Sequence, residues 1–359
     1  MSDIIVIGGG IAGLSAAARL SETAQVTVLE REKNTGYHTS GRSAAMFEEN
    51  YGLPSTVALN KASKTYLFEA EGGYLTPRGF LICGGATERE AVHADAVSLG
   101  AEPLSVAEAQ ALVPILSADT VAFAAYHAEA FDIDTDRLMQ DFVRVIRGNG
   151  GQVITGAAVT GIDPLGPAWK VSTTAQTYQA DMLVNAAGAW ADDIARLAGI
   201  APIGLAPLRR SMARIAAPGG QDVSHWPMFF GVGESWYAKP DAGALLVSPA
   251  EEDPSAPSDA WADDMVLAEG IARYQHHVTE PVTRPIATWA GLRSFAPDRA
   301  LVLGPDPETP SFIWSAGQGG YGFQTAPAAS QLVADLAFGR APMLAADVVA
   351  QLTPDRLRR

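Results

Sequence analysis

Three glycines spaced as Gly8-x-Gly10-x-x-Gly13 restrict this chain more than any other feature, because of what surrounds them. An apolar run, Ile4-Ile5-Val6-Ile7, precedes them, and an apolar stretch from Ile11 to Leu20 follows. A second run, Val26-Thr27-Val28-Leu29, then ends at Glu30. Strand, glycine turn, helix and strand in that order predict a βαβ unit. Gly8 permits the tight turn, Gly10 lets backbone N–H groups reach a pyrophosphate at the helix N-terminus, and Gly13 allows close helix–strand packing. Ile11 and Ala12 form the first helical turn beside that phosphate position. Glu30 can accept a ribose hydroxyl and would repel a 2′-phosphate. The motif therefore predicts a site for FAD or NAD rather than NADP, and does not choose between the first two.

The rest of the composition narrows the class. Over 359 residues, 48% hydrophobic and 18% charged side chains exclude a disordered or coiled-coil protein. A net charge of −15 argues against nucleic acid and anionic membranes as partners. One cysteine, Cys83, cannot form an intrachain disulfide and fits a reducing compartment. Residues 4–18 carry no charge, but Asp3 stands where a signal peptide would be basic, and the segment falls short of the ~20 residues a bilayer needs. A cytoplasmic protein without a transmembrane segment is expected, with peripheral association with an inner membrane left open. Oligomeric state is not legible. His276-His277 lacks metal-ligand spacing, so no metal is expected, and His38 reads as part of a turn.

Along the chain, residues 50–130 mix short strands with helical stretches such as Glu88 to Leu99. A helix then opens at Asp134 as N-cap, with Leu138, Phe142, Val145 and Ile146 on one face and Gly148 at the C-cap. Strand-like runs follow at Gln152-Val153-Ile154 and 182–188. Residues 205–295 read as strand-rich, with Glu251 through Asp264 as an acidic solvated segment. Phe312-Ile313-Trp314, the glycine loop Gly317-Gln318-Gly319-Gly320-Tyr321-Gly322 and a helix from Thr325 to Phe338 close the chain.

With Gly36-Tyr37-His38-Thr39-Ser40-Gly41-Arg42-Ser43-Ala44-Ala45, Asp132 to Asp136, 183–190, Arg209-Arg210-Ser211, Tyr237-x-Lys239-Pro240-Asp241, 288–295 and Gln318 to Gln324, the chain resembles the D-amino-acid oxidase superfamily of flavoproteins. The resemblance is strongest to its bacterial D-arginine dehydrogenase branch. It implies an α/β fold of two discontinuous domains. A Rossmann-like FAD-binding domain would take 1–48, 135–205 and 297–345; a sheet-based substrate domain would take 49–134 and 206–296, leaving 346–359 as a tail.

On this resemblance Ser40, Arg42, Ser43, Ala44 and Ala45 line the pyrophosphate and flavin, with Arg31 beside Glu30. Val159 touches adenine, Ala187, Gly188 and Trp190 pass near the cofactor, and Gly291, Arg293, Gly319, Gly320, Tyr321, Gly322, Phe323 and Gln324 surround the ring system. N–H groups at the start of the last helix would stabilise negative charge on a reduced flavin. Arg210 and Arg293 would grip the substrate carboxylate, whose planar geometry a guanidinium fits. Arg209, next in sequence, should face the other way. Tyr51 and Tyr237 would orient the substrate, and Gly320 would lie at the reacting centre.

The implied activity is transfer of a hydride from Cα of a D-amino acid to flavin N5, giving a 2-oxo acid and ammonia after hydrolysis, with oxygen or a quinone as final acceptor. Alternatives are oxidation of a secondary amine such as an N-methyl amino acid, oxidation of a 2-hydroxy acid, or a non-catalytic flavin-binding partner or sensor. Relatives of the sarcosine-oxidase kind attach their flavin through a cysteine near the C-terminal loop; none stands there, so the FAD is expected to be non-covalent. Two departures bear on the substrate. Met46 replaces the branch's histidine, and Phe80 replaces the glutamate that recognises the guanidinium. The charge receptor is thus expected to be missing, and an uncharged or apolar side chain is expected over D-arginine or D-lysine.

Overall fold

The computed structural model describes residues 3–358. Its first layer is a six-stranded sheet in the order Val302–Pro305, Phe312–Ala316, Met182–Asn185, Ile4–Ile7, Val26–Leu29 and Gln152–Ile154. All neighbours run parallel except the edge strand Val302–Pro305. Near-continuous apolar runs form such strands because both faces are covered. Ile4, Val6, Val28, Val184 and Ile313 enter a core with the helices Ile11–Leu20, Pro54–Glu69, Thr135–Gly148 and Gly322–Ala337. The alternate residues Ile5, Ile7, Leu183, Phe312 and Trp314 pack under a three-stranded antiparallel meander, Val159–Leu165, Ala168–Thr173 and Thr177–Ala180.

Two packing facts cut across the expected domain boundaries. Pro54–Glu69, which the boundary at residue 49 assigns to the substrate unit, buries Leu59 and Leu67 in the dinucleotide-side core. The tail is also anchored there, since Leu352 is buried and its carbonyl accepts from the Leu303 N–H at 2.8 Å.

The second large sheet has nine strands and joins two distant stretches of sequence. Phe80–Gly84 pairs in parallel with Met228–Gly231, and Ala206–Ala216 pairs antiparallel with Ala287–Phe295. Alternation sorts its side chains. Leu81, Cys83, Phe229 and Trp236 face a distal core, whereas Phe80, Ile82, Met212, Phe230 and Tyr237 face the first layer. A short three-stranded sheet, Met46–Glu48, Ala130–Ile133 and Leu75–Pro77, lies between the two layers in sequence. No helix among the described residues is long and apolar enough to cross a membrane.

Three local expectations shift. The helix capped by Asp134 runs through Gly148, with Asn149 as its C-cap, and Val145 on the expected apolar face is exposed. The last helix begins at Gly322, three residues before Thr325, because the glycine loop supplies its first turn. The acidic segment Glu251 to Asp264 lies at the surface, with Trp261 82% exposed, but several of its acids are paired. Glu251 is largely buried and accepts from the Ser211 N–H at 2.7 Å, Asp253 pairs with Arg209 at 2.9 Å, Asp259 with Arg42 at 2.5 Å, and Asp263 caps the helix Asp264–His276. A run of acids reads as solvated only until its basic partners, remote in sequence, are placed beside it.

Candidate active site

Two clefts meet at Gly10, Ser40 and Gly188. The outer one, about 1070 Å³, is built on the glycine turn. Gly8 has φ +113°, and a Cβ there would lie 2.3 Å from the Ala186 carbonyl oxygen. A Cβ on Gly13 would lie 1.9 Å from the Gly8 oxygen, so the first helix sits against the strand only because both are glycine. Glu30 is 7% exposed and its carboxylate is fixed by backbone: Oε2 accepts from the Gly9 N–H at 2.6 Å, Oε1 from the Glu32 N–H at 2.8 Å. Gly8, Gly10, Glu30, Arg31, Ser40, Val159, Ala187, Gly188 and Trp190 all line this cleft. The Trp190 ring lies between the Arg31 guanidinium at 4.9 Å and the His38 ring at 4.7 Å, and His38 contacts Glu32 at 3.0 Å.

The inner cleft, about 920 Å³, continues past the helix N-terminus, where Ser40 Oγ accepts from the Ile11 N–H at 3.0 Å. One wall is Gly10, Ile11, Ala12, Ser40, Arg42, Ser43, Ala44, Ala45 and Met46. The other is Gly291, Arg293, Gly319, Gly320, Gly322, Phe323 and Gln324, with Arg210 and Tyr237 at one end. Lys239, on the nine-stranded sheet, holds the first wall, with Nζ 2.6 Å from the Ala44 carbonyl and 2.8 Å from Asp132, which stands opposite Met46. Gln324 is 2% exposed; its Oε1 accepts from the Glu48 N–H at 3.2 Å, while Nε2 is buried without a partner. Every predicted site residue lines one of the clefts or their side pockets except Gly13, which packs beneath them.

The two arginines follow from strand register. Arg210 stands opposite Gly291, two residues from Arg293, which places both guanidinium-bearing residues on one face of the sheet. Arg209 takes the other face and pairs with Asp253, as alternation requires. Arg210 is 7% exposed, with Nε on the Glu251 carbonyl at 3.0 Å and Nη2 on Glu252 at 3.3 Å, and Nη1 has no partner. Arg293 forms no hydrogen bond or ion pair among the described residues, and its guanidinium packs so closely over Gly320 that a Cβ there would meet Nη1 at 2.8 Å. Burial opposes the Arg293 charge, yet Tyr237, Tyr51, Glu234 and Glu252 outweigh it and hold the group above its ordinary value.

Tyr51 reaches the same place from the opposite layer and donates to Glu234 at 3.0 Å. Burial, reinforced by Glu234, pushes its hydroxyl well above the ordinary tyrosine value. Tyr237 points its hydroxyl at the Met212 sulfur, 3.2 Å away. Tyr321 packs edge-on to Tyr51 with ring centroids 5.3 Å apart.

Phe80 and Met46 line a side pocket of about 720 Å³ that opens toward Arg293. Phe80 lies 5.5 Å from Phe230 and 5.1 Å from the His127 ring. The expectation that this pocket lacks acid is wrong: Glu48 and Glu234 both line it. Sequence reasoning inspected one position and missed acids arriving from a different strand and from the turn Val232–Glu234, where Glu234 takes φ +54°. Cys83 borders none of these cavities, and burial pushes its thiol up to about 12.

These residues fit FAD. The backbone turn leaves no room for side chains where a dinucleotide must approach, a helix N-terminus opens onto the join of the two clefts, and an unpartnered Gln324 amide waits in the inner one. The profile of the DAO family, described as FAD dependent oxidoreductase, matches residues 3–336. Mitochondrial sarcosine dehydrogenase of Mus musculus is 24% identical over 347 residues, covering 88% of this chain; the chain spans 37% of that protein's length. In fold, the chain is similar to glycine oxidase from Geobacillus kaustophilus, with 21% identity, a TM-score of 0.81 and 96% of each chain covered. It is also similar to L-proline dehydrogenase from P. horikoshii, with 23% identity, a TM-score of 0.84, and 100% of this chain and 98% of the other covered. These relatives carry sarcosine, glycine and proline in their names, so the match reaches the family and not the D-arginine branch.

Proposed function

Because the chain belongs to the DAO family of FAD-dependent oxidoreductases, we propose that it converts an amino acid to its 2-oxo acid and ammonia, taking a D-amino acid with an uncharged or apolar side chain over D-arginine or D-lysine. One observation carries this reading. Among the described residues Arg293 is a cation without a partner, set beside Arg210, whose Nη1 has none either, at the end of the cleft that fits the flavin. A desolvated guanidinium is costly unless an anion meets it, and a carboxylate meets it in two parallel hydrogen bonds.

FAD, when bound, supplies the two-electron acceptor for the Cα–H bond. The chain's residues do the rest by holding the substrate. Arg293 and Arg210 fix the carboxylate, and Gly320, lacking a Cβ, leaves space for the Arg293 guanidinium. Tyr51, whose raised value keeps the phenol protonated at neutral pH and whose O–H is taken by Glu234, orients the substrate through its free lone pair rather than acting as a base. Tyr237 spends its hydroxyl on a thioether, a weak acceptor, and can turn it to the ligand at little cost. Phe80, Phe230 and Met228 give the side-chain pocket an apolar wall, which suits an apolar stem on the substrate's side chain.

A second reading, oxidation of a secondary amine, is favoured by the sarcosine and proline in the relatives' names. The test is bleaching of the flavin absorbance without oxygen, using D-, L- and N-methyl amino acids and 2-hydroxy acids. D-amino acids are expected to bleach fastest. Faster bleaching by N-methyl amino acids moves the assignment to the second reading, and no bleaching by any amino acid ends both. Admitting air or a quinone to the reduced enzyme then identifies the acceptor.

A further inference from the structure

Glu48 closes the side pocket in a way that the carboxylate grip does not use. It ends the strand Met46–Glu48, where alternation sends Met46 and Glu48 toward the pocket and Phe47 into the opposite core. The residue is 6% exposed. Its Oε1 accepts from the Asn50 N–H at 2.9 Å, whereas Oε2 is buried and has no hydrogen-bond partner. His127 Nε2 lies 3.3 Å from Oε2 but not in hydrogen-bonding geometry. Glu234, the other acid of the pocket, already accepts from Tyr51. A buried acceptor left unpaired weighs against folding, and here its residue lines the cavity that Arg293 also lines.

We infer that Glu48 is the side-chain receptor of the pocket, its Oε2 taking a hydrogen bond from an uncharged donor, an amide or hydroxyl, at the tip of the substrate's side chain. The inference rests on the amino-acid reading above and deepens it. The substrate would be held at both ends: its carboxylate on Arg293, its side-chain tip on Glu48, and the carbons between against Phe80 and Phe230. Burial raises the Glu48 carboxyl above its ordinary value, with the Asn50 N–H and His127 offsetting only part of that. Phe80 at the position of the branch's glutamate therefore does not leave the pocket without a polar contact; it moves that contact to another strand.

The test uses the FAD-loaded enzyme with Glu48→Leu and Glu48→Gln, comparing D-glutamine with D-methionine, which has similar length and no donor at its tip. In Glu48→Leu the ratio of kcat/KM for D-glutamine to that for D-methionine should fall roughly 10-fold to 100-fold, while Glu48→Gln, which keeps an acceptor, should retain most of it. An equilibrium readout accompanies turnover: 4-carbamoylbutanoate and hexanoate, which lack an oxidisable amine, are titrated against the flavin spectrum. Only the first should bind more weakly to Glu48→Leu. Flavin absorbance and melting temperature confirm that each variant is folded. Unchanged ratios in a flavin-loaded Glu48→Leu enzyme overturn the receptor and leave the amino-acid reading intact. Should D-lysine be the best substrate and lose most in Glu48→Leu, the receptor stands and the preference for uncharged side chains falls. Failure of the unaltered enzyme to oxidise any amino acid removes both.

Discussion

The outer and inner clefts share a wall but are finished differently. In the outer cleft the polar groups satisfy one another: both oxygens of Glu30 lie on backbone N–H groups, Ser40 caps the helix, and the shape is set by glycines that admit no Cβ. In the inner cleft and its side pocket the polar groups are left over. Arg293 is unpaired, and Arg210, Gln324 and Glu48 each keep one buried atom without a partner. A cavity complete in itself recognises a ligand mainly by its form. One with orphaned donors and acceptors is completed by the ligand, and unpaired buried groups discriminate strongly against a molecule that does not match them. Binding of the cofactor and choice of the substrate should therefore fail separately.

Gly13→Ala tests the first half. The added carbon meets the Gly8 carbonyl, which is backbone and cannot swing aside. Overpacking of this kind costs on the order of 3 kcal/mol, and flavin content should drop below roughly a tenth of normal, read as the ratio of flavin to protein absorbance. A yellow, fully loaded Gly13→Ala protein would show that the glycine frame is not what shapes the outer cleft. Arg293→Leu tests the second half. It should lower kcat/KM for the best amino acid by about 30-fold to several-thousand-fold with flavin content unchanged, since truncating one partner of a buried charge pair has that scale of effect. Loss of flavin together with activity would break the separation between the halves, and unchanged turnover would end the carboxylate grip.

The same contrast explains what the sequence discloses. The outer cleft is legible because its parts are local: Gly8 to Glu30 is one βαβ unit, and spacing alone assigns each glycine its task. Arg210, Arg293, Tyr51 and Tyr237 become legible through family resemblance, and strand alternation separates Arg209 from Arg210 without further information. Glu48 and Glu234 do not. Neither belongs to a motif, and they meet at one pocket only because the short interlayer sheet and the turn before Tyr237 converge there. Their role depends on an absence of partners, which spacing cannot show. The acidic segment fails for the opposite reason: its partners exist, but Arg42 lies 217 residues from Asp259.

That pair sets the smallest effect. Arg42 Nη2 holds Asp259 at 2.5 Å, and its Nη1 also reaches the carbonyls of Ala260 at 3.1 Å and Ala290 at 2.8 Å, so a guanidinium on the cleft wall straps a surface segment to the substrate-side sheet. The hydrogen bond from Arg42 holds the Asp259 carboxyl below its ordinary value. A lowered value in the folded state means that the stabilisation is present above the unfolded value, near 4, and disappears as pH falls through the folded one. Asp259 is half exposed, so water and salt screen the pair to less than ~1 kcal/mol. Asp259→Asn should therefore lower the melting temperature slightly at pH 7, with the difference from the unaltered protein closing as the pH is taken below about 4. Flavin content should hold, because Arg42 keeps two carbonyl partners without the carboxylate. If Asp259→Asn instead sheds flavin as Gly13→Ala is expected to, the strap rather than the glycine frame governs cofactor retention, and the outer cleft is not complete in itself.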